Sequence, residues 1–246
     1  MNKFTGLVRR CVDDYGMIAG GETVAVGVSG GKDSIALLCA LTNLQKYYPK
    51  KFGIIAVTLD MGFEGMDFTP VERLCAELDV PYVRRQTDLR SIIFDLRREK
   101  NPCALCAKMR RGALNDMISE LGVKKIALAH NFDDAVETFL LSMLYEGRIN
   151  CFQPVTYMSR SGVTQIRPML YTGEGTVKKL VERYDLPIVY NLCPMNGASK
   201  REEVKVLLKA LGASCPDIKN RIFGAMQRFP LAGWGVCAKP AASDSR

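Results

Sequence analysis

One histidine and one tryptophan occur among the 246 residues of this chain. A single imidazole excludes a metal centre built mainly from histidines, and leaves His130 as the one side chain whose ordinary pKa lies near neutrality. Only one C-x-x-C pair is present, Cys103 with Cys106. The second close pair that a structural zinc site takes is missing. No apolar run reaches the roughly 20 residues that cross a bilayer. The first ten residues, MNKFTGLVRR, hold no apolar export core, so a cytoplasmic protein without a membrane partner is expected. No repeat and no long linker interrupts the chain. Nine cysteines are many for such a protein, but the number is odd and no export signal accompanies it, so a disulfide framework is not expected.

Hydrophobic residues make up 48% of the chain and charged ones 24%, which is the balance of an ordinary globular protein. Its length fits one large domain or a domain with a small appendage. The net charge of +8 points to a polyanionic partner, nucleic acid being the commonest, against a merely basic surface. Basic pairs at Arg9-Arg10, Arg84-Arg85, Arg97-Arg98, Arg110-Arg111 and Lys124-Lys125 carry that meaning only if the fold gathers them.

The most informative stretch is Val28-Ser29-Gly30-Gly31-Lys32-Asp33-Ser34. A short β-branched run precedes it and an Ala/Leu-rich helical run follows. A Ser-Gly-Gly turn there sets free N–H groups and the positive end of a helix dipole around one point, which is an anion site. Lys32, Ser29 and Ser34 add side-chain donors, and the glycines admit close approach and positive φ. The spacing is not that of a Walker loop.

Apolar periodicity predicts a helix at 2–20, strands at 23–28 and 52–59, a helix at 70–78, a strand at 82–87 and a helix at 91–99 broken by Asn101-Pro102. A helix at 107–121, a strand at 125–129, a helix at 133–144, turns with a hairpin near 160–162, a helix at 176–184, a strand at 187–190 and helices at 202–211 and 218–228 complete the reading. Alternating strands and helices imply an α/β fold: a doubly wound, mainly parallel sheet with helices on both faces. Ligands of such sheets lie beyond the carboxyl ends of the strands. The Ser29 loop, Asp60, the Cys103 segment and His130 all fall there.

Cys103 and Cys106 stand at a loop-to-helix junction with Lys108, Arg110 and Arg111 nearby, a setting that favours thiolates. A redox pair, half a zinc site and part of an iron–sulfur cluster all fit. Cys193, beside Pro194 in a loop after the last predicted strand, has a similar context. Cys39 and Cys75 read as buried inert thiols, and Cys215 and Cys237 as weaker candidates. Asp60 is either a nucleotide or metal contact or a strand-end cap. Asp133 and Asp134 open a helix, where N-terminal capping competes with a metal or catalytic role. Arg110 and Arg111 contact phosphate or form a solvated helix face; Arg167, before Pro168, is a weaker candidate for the same contact.

Ser-Gly-Gly-Lys-Asp-Ser resembles the PP-loop of the ATP pyrophosphatases. With Leu59-Asp60, Cys103-Ala104-Leu105-Cys106 trailed by Arg110-Arg111-Gly112, the segment from Lys125 to His130 with Asp133-Asp134, Ile166-Arg167-Pro168 and Asn191-Leu192-Cys193, the chain resembles the TtcA-like tRNA 2-thiocytidine synthetase family over roughly residues 5–230. That resemblance implies ATP on Ser29, Gly30, Gly31, Lys32, Asp33 and Ser34, with Asp60, His130 and Asp133 also at the nucleotide. It implies catalytic roles for Asp60, Asp134 and Arg110, and a [4Fe–4S] cluster on Cys103, Cys106 and Cys193 with an open fourth iron. Mg²⁺ would sit on Asp33, Asp133 or Asp134. The implied reaction adenylates the C2 oxygen of a tRNA pyrimidine, an anticodon-loop cytidine first, and replaces it with sulfur. Partners would be tRNA and a sulfur donor such as a cysteine desulfurase or free sulfide, with a homodimer left open. The implied organisation is a helical segment at 1–20, a PP-loop domain at 21–195, a helical appendage at 196–230 and a disordered tail at 231–246. Asn131-Phe132 departs from the family's usual second His and Arg, and the residues from Pro194 to Ser199 differ too. Two rivals remain: a cluster-free PP-loop enzyme that uses a persulfide on Cys106 or Cys193 or acts on another base, and a non-catalytic ATP-binding iron–sulfur sensor.

Overall fold

The computed structural model describes residues 1–97, 102–195, 200–229 and 231–236. Helix α1 (Asn2–Asp14) precedes β1 (Thr23–Gly27), α2 (Lys32–Gln45), β2 (Gly53–Asp60), α3 (Thr69–Glu77) and β3 (Tyr82–Gln86). A π-helical stretch, Ser91–Arg97, leads to α4 (Pro102–Glu120), β4 (Lys125–Ala127) and α5 (Phe132–Tyr145). The hairpin of β5 (Val155–Met158) and β6 (Val163–Ile166) is followed by α6 (Glu174–Arg183), α7 (Lys200–Ser214) and α8 (Ile218–Arg228).

The strands lie in the order β3-β2-β1-β4-β6-β5. All neighbours are parallel except β5, which runs antiparallel to β6. Val24, Ala25 and Val26 of β1 are fully buried, as a central parallel strand covered on both faces requires. One core joins α1, α2, α5 and α6 on one face; a smaller one sets Met117 and Ile118 of α4 against Ala25, Val57, Ile126 and Val163 on the other. The strand order reverses between β1 and β4, so the switch-point crevice opens between the Ser29 loop and His130. The doubly wound sheet expected from the sequence is the one observed.

Local expectations change at four places. Helix α1 stops at Asp14, and Phe4, Val8, Cys11 and Val12 bury it in the main core. The predicted break at Pro102 is a helix start: the missing N–H of proline costs nothing in a first turn, so Cys103 and Cys106 lie inside α4 rather than before it. The predicted strand at 187–190 does not form; Val189 makes a single bond from its N–H to the Gly30 carbonyl, at 2.9 Å. The tail expected to be disordered from residue 231 is anchored at its start. Trp234 is fully buried and donates its indole N–H to the Phe152 carbonyl at 3.0 Å. Its ring also packs edge-on to Phe223 of α8, at 5.3 Å between centroids. Residues 237–246 of that predicted tail lie outside the described residues.

Trp234→Ala removes the anchor and leaves a large cavity, so unfolding by denaturant is expected to show a loss of about 3–5 kcal/mol. A loss below about 1 kcal/mol would show that the segment contributes little to the core.

Candidate functional site

The turn after β1 has no side chain capping the start of α2. The first-turn N–H groups of Lys32, Asp33 and Ser34 are the donors that a helix start leaves without an internal partner. Ser34 Oγ donates to the Gly31 carbonyl at 2.8 Å and accepts from the Ser29 N–H at 3.1 Å, so the two serines hold the turn closed. Lys32 Nζ meets Asp33 at 2.7 Å and Glu174 at 3.2 Å. Burial alone would lower its pKa, but the two carboxylates outweigh it and hold the ammonium above its ordinary value.

Gly30 has φ +83, and a Cβ there would sit 2.6 Å from the Val189 Cβ. The absent side chain is what lets the segment after α6 lie on the phosphate loop. Four residues on, the same segment carries Cys193, whose N–H donates to Asn191 Oδ1 at 3.0 Å. Leu192 and Pro194 flank a cleft of about 270 Å³ shared with Phe63, Glu64, Arg90 and Phe94.

Cys103 and Cys106 are one turn apart on α4 and so share a helix face. Burial pushes the Cys106 thiol up, Arg110 pulls it back, and the adjacent Cys193 and Cys103 thiols push it up further. Cys193 therefore lies within electrostatic range of Cys106, although it is 87 positions away in the chain. Among the described residues no three Cys, His, Asp or Glu side chains are already drawn around a common metal position. Cys39 and Cys75 are buried with thiols pushed up to about 11, which makes them inert.

The carboxylates divide differently from expectation. Asp60 is buried; it accepts from Arg84 at 2.5 Å and from the Gly62 N–H at 2.9 Å, so both oxygens brace the turn after β2. Asp134 forms a capping box with Asn131 and lies 3.5 Å from Arg201. Asp133 caps not its own helix but α6: it accepts the Glu174 N–H at 2.7 Å and pairs with Lys219 at 2.5 Å. Asp33 alone of Asp33, Asp133 and Asp134 lines the central cavity, and its Oδ1 accepts from Asn131 at 3.0 Å.

That cavity, about 710 Å³, runs from the Ser29 loop across α4 to the β5–β6 hairpin, and is in the size range of small-molecule sites. Gly27, Val57, Leu59, Leu114 and Leu128 give it an apolar wall. Four arginines, 110, 111, 167 and 201, line it against the carboxylate of Asp33. Of the basic pairs described in full, Arg110-Arg111 is the one with neither side chain in an ion pair; Arg9, Arg10, Arg84, Arg85 and Lys125 all have acidic partners. The fold thus leaves the α4 pair free to meet an anion.

The chain matches the PP-loop domain family over residues 4–191. A tRNA-cytidine(32) 2-sulfurtransferase from Syntrophotalea carbinolica is 35% identical over 227 residues, covering 91% of this chain and 88% of that one. Another, from Anaeromyxobacter dehalogenans, is 37% identical over 217 residues, covering 87% and 75%. The chain belongs to the tRNA-cytidine(32) 2-sulfurtransferase family. Among solved structures, the U34-tRNA thiolase NcsA from Methanococcus maripaludis, solved with its [4Fe–4S] cluster, is similar with a TM-score of 0.75 at 24% identity, over 93% of this chain and 78% of that one. At that identity the likeness establishes the fold.

In this member of the sulfurtransferase family, several cavity residues had no signal in the sequence. Arg201 reaches in from α7, beyond the PP-loop match, and bonds Glu137 at 3.0 Å and Thr138 at 3.2 Å. Phe152, Gln153 and Gln165 come from irregular backbone and the hairpin. His130 does sit in the cavity, its ring 4.8 Å from that of Phe152. Burial first, then Arg167, Arg201, Arg110 and Arg111, lower its pKa to about 3. The ring is therefore neutral throughout the working range.

Two outcomes follow from this geometry. Gly30→Ala places a methyl group at positive φ against Val189 and is expected to weaken ATP binding at least about tenfold, a loss of roughly 1.4 kcal/mol; unchanged affinity by calorimetry would show that the tether does not shape the loop. At His130 the unfolded chain takes up a proton below 6.5 while the folded ring stays neutral to about 3. Stability from this residue is thus intact above 6.5 and falls as pH drops from 6.5 towards 3. At about pH 5.5 the wild type should lose about 1 kcal/mol more than His130→Gln, relative to pH 8. Parallel stability curves for the two proteins would contradict a buried neutral ring.

Proposed function

We propose that the protein is an ATP-dependent tRNA-cytidine 2-sulfurtransferase that adenylates the C2 oxygen of an anticodon-loop cytidine and exchanges it for sulfur. The observation that carries this reading is the joining of an uncapped phosphate loop to a thiol-bearing segment through Gly30 and Val189. ATP would lie with its phosphates on the first-turn N–H groups of α2, its base against the apolar wall of the cavity. Lys32 would trade its carboxylate partners for phosphate oxygens. Asp33, with those oxygens, offers the hard-oxygen setting that Mg²⁺ takes.

Attack of the C2 oxygen on the α-phosphate forms a C2–O–P bond and expels pyrophosphate. Negative charge gathers on the phosphate oxygens in that step, and Lys32 and the unpaired Arg110 supply positioned cations and donors for it. Sulfide then adds at C2 and the C2–O bond breaks, so AMP leaves with the original oxygen. Cys103, Cys106 and Cys193 fit a [4Fe–4S] cluster by donor chemistry: three soft thiols, two on one helix face and the third within electrostatic range of Cys106. When bound by three thiolates, such a cluster leaves one iron open to present the sulfur.

The net charge of +8 and the unpaired Arg110-Arg111 support tRNA as the partner. Among the described residues no helix is long and apolar enough to cross a membrane. We place the reaction in the cytoplasm, with free sulfide or a cysteine desulfurase supplying sulfur. Asp60, Asp133 and Asp134 enter this reading as scaffold, since each is held by partners within the chain and none lines the cavity.

Mass spectrometry of tRNA nucleosides from a deletion strain is expected to show loss of 2-thiocytidine; unchanged thionucleosides would defeat the assignment. In vitro, Lys32→Met should slow tRNA-stimulated pyrophosphate release by about 10²-fold. Cys103→Ala should keep ATP binding but abolish thiolation and the visible absorption of anaerobically prepared protein. Colourless anaerobic protein that still thiolates would instead favour the persulfide route, and ATP binding with no tRNA-stimulated pyrophosphate would favour the sensor.

A further inference from the structure

The cavity has a second polar region, on the β5–β6 hairpin. Arg167, directly after β6, is only 6% exposed. Its Nη1 donates to the Gln153 carbonyl at 2.5 Å and to Thr156 Oγ1 at 3.1 Å, and its Nη2 to Gln165 Oε1 at 3.4 Å. Every one of those acceptors is neutral. The buried Nε has no partner, and among the described residues no carboxylate pairs with this guanidinium. The group lies over the Phe152 ring, 5.0 Å from its centroid. His130 packs on the same ring, and its buried Nδ1 is likewise without a partner.

A buried cation with no counter-charge is strongly unfavourable, and an unsatisfied buried donor adds to the cost. Arg201, the other arginine reaching the cavity from beyond α4, is balanced by Glu137 and Asp134. Arg167 has no such balance, and Arg110 and Arg111 add to the positive field across the same cavity. A neutral His130 leaves that field undiminished while offering a hydrogen-bonding nitrogen. Asp33 is the one acidic side chain lining the cavity, it is engaged by Lys32 and Asn131, and no described carboxylate pairs with Arg167, so an anion from outside the chain fits the missing counter-charge.

We propose that Arg167 and His130 form a second anion subsite in the cavity, distinct from the phosphate loop, that takes a phosphate-type oxyanion. The backbone phosphodiester of a single-stranded RNA segment and free phosphate or pyrophosphate share this chemistry. The inference rests on charge balance and needs neither adenylation nor sulfur transfer, so it stands or falls apart from the functional reading above.

The single histidine makes a direct test available, because every imidazole resonance reports His130. In Lys32→Gln protein, where the phosphate loop is weakened, titration with inorganic phosphate at pH 7.5 is expected to shift the His130 ring signals saturably. Chloride at matched ionic strength should not. In Lys32→Gln/Arg167→Gln the phosphate midpoint should rise at least about tenfold. No saturable shift in the single variant, an equal shift with chloride, or an unchanged midpoint in the double variant would each overturn the subsite. The first two of these readouts leave Arg167 intact, so they hold even if the double variant does not fold. Saturation by a short single-stranded oligoribonucleotide at lower concentration than phosphate assigns the subsite to an RNA backbone; response to phosphate and pyrophosphate alone assigns it to the free anion.

Discussion

The contact between Gly30 and Val189 governs the site. Gly30 turns the chain at positive φ and offers its carbonyl to the Val189 N–H. Both features need a residue without a side chain: an L-residue is strained at that φ, and any Cβ would overlap Val189. The bond fixes a segment with no regular structure against the phosphate loop. That segment carries Cys193, so the position of the third thiol relative to the Cys103–Cys106 pair derives from a glycine 163 positions away. One backbone hydrogen bond thus ties the Ser29 loop to the segment that carries Cys193.

Helix starts do most of the remaining positioning. The first turn of α2 is left uncapped by side chains and faces the cavity, keeping its donors for an anion. The first two turns of α4 hold two thiols. The first turn of α5 is closed by the Asn131–Asp134 capping box, and that of α6 by Asp133 of the neighbouring helix.

Much of this was legible in the sequence. The β-branched run, Ser-Gly-Gly turn and Ala/Leu-rich run gave the strand, the turn and the uncapped helix start because each signal is local. Strand and helix alternation gave the parallel sheet for the same reason. Pro102 misled because proline both ends helices and begins them, and only the packing of α4 on β1, β2, β4 and β6 settles which. The strand expected at 187–190 failed because its short apolar run packs against the Ser29 loop through the Val189–Gly30 bond and pairs with no strand. Trp234 sits in a tail whose Ala, Gly, Ser and Pro content reads as disorder, yet one large ring outweighs that composition through long-range burial. Asp133 was the hardest: its partner, the N–H of Glu174, lies 41 positions on, and no spacing rule joins a helix-opening carboxylate to a different helix.

The carboxylates show how a basic cavity is kept in order without being neutralised. Asp133 fixes the start of α6 by accepting the Glu174 N–H, and the Glu174 side chain holds Lys32. Asp33 holds Lys32 from the other side and takes a bond from Asn131, which in turn forms the box with Asp134. One connected network thus runs from α6 through Lys32 and Asp33 of α2 to α5. An entering triphosphate competes with two carboxylates for that ammonium, so its binding strength reflects the difference between phosphate and carboxylate partners rather than the whole attraction. Removing Glu174 would free Lys32 for phosphate but leave it less fixed, whereas removing Asp133 would loosen the α6 start that presents Glu174. The same logic separates Lys32 from Arg167: the first cation is held in place by internal partners it can exchange, the second is buried among neutral acceptors and has none.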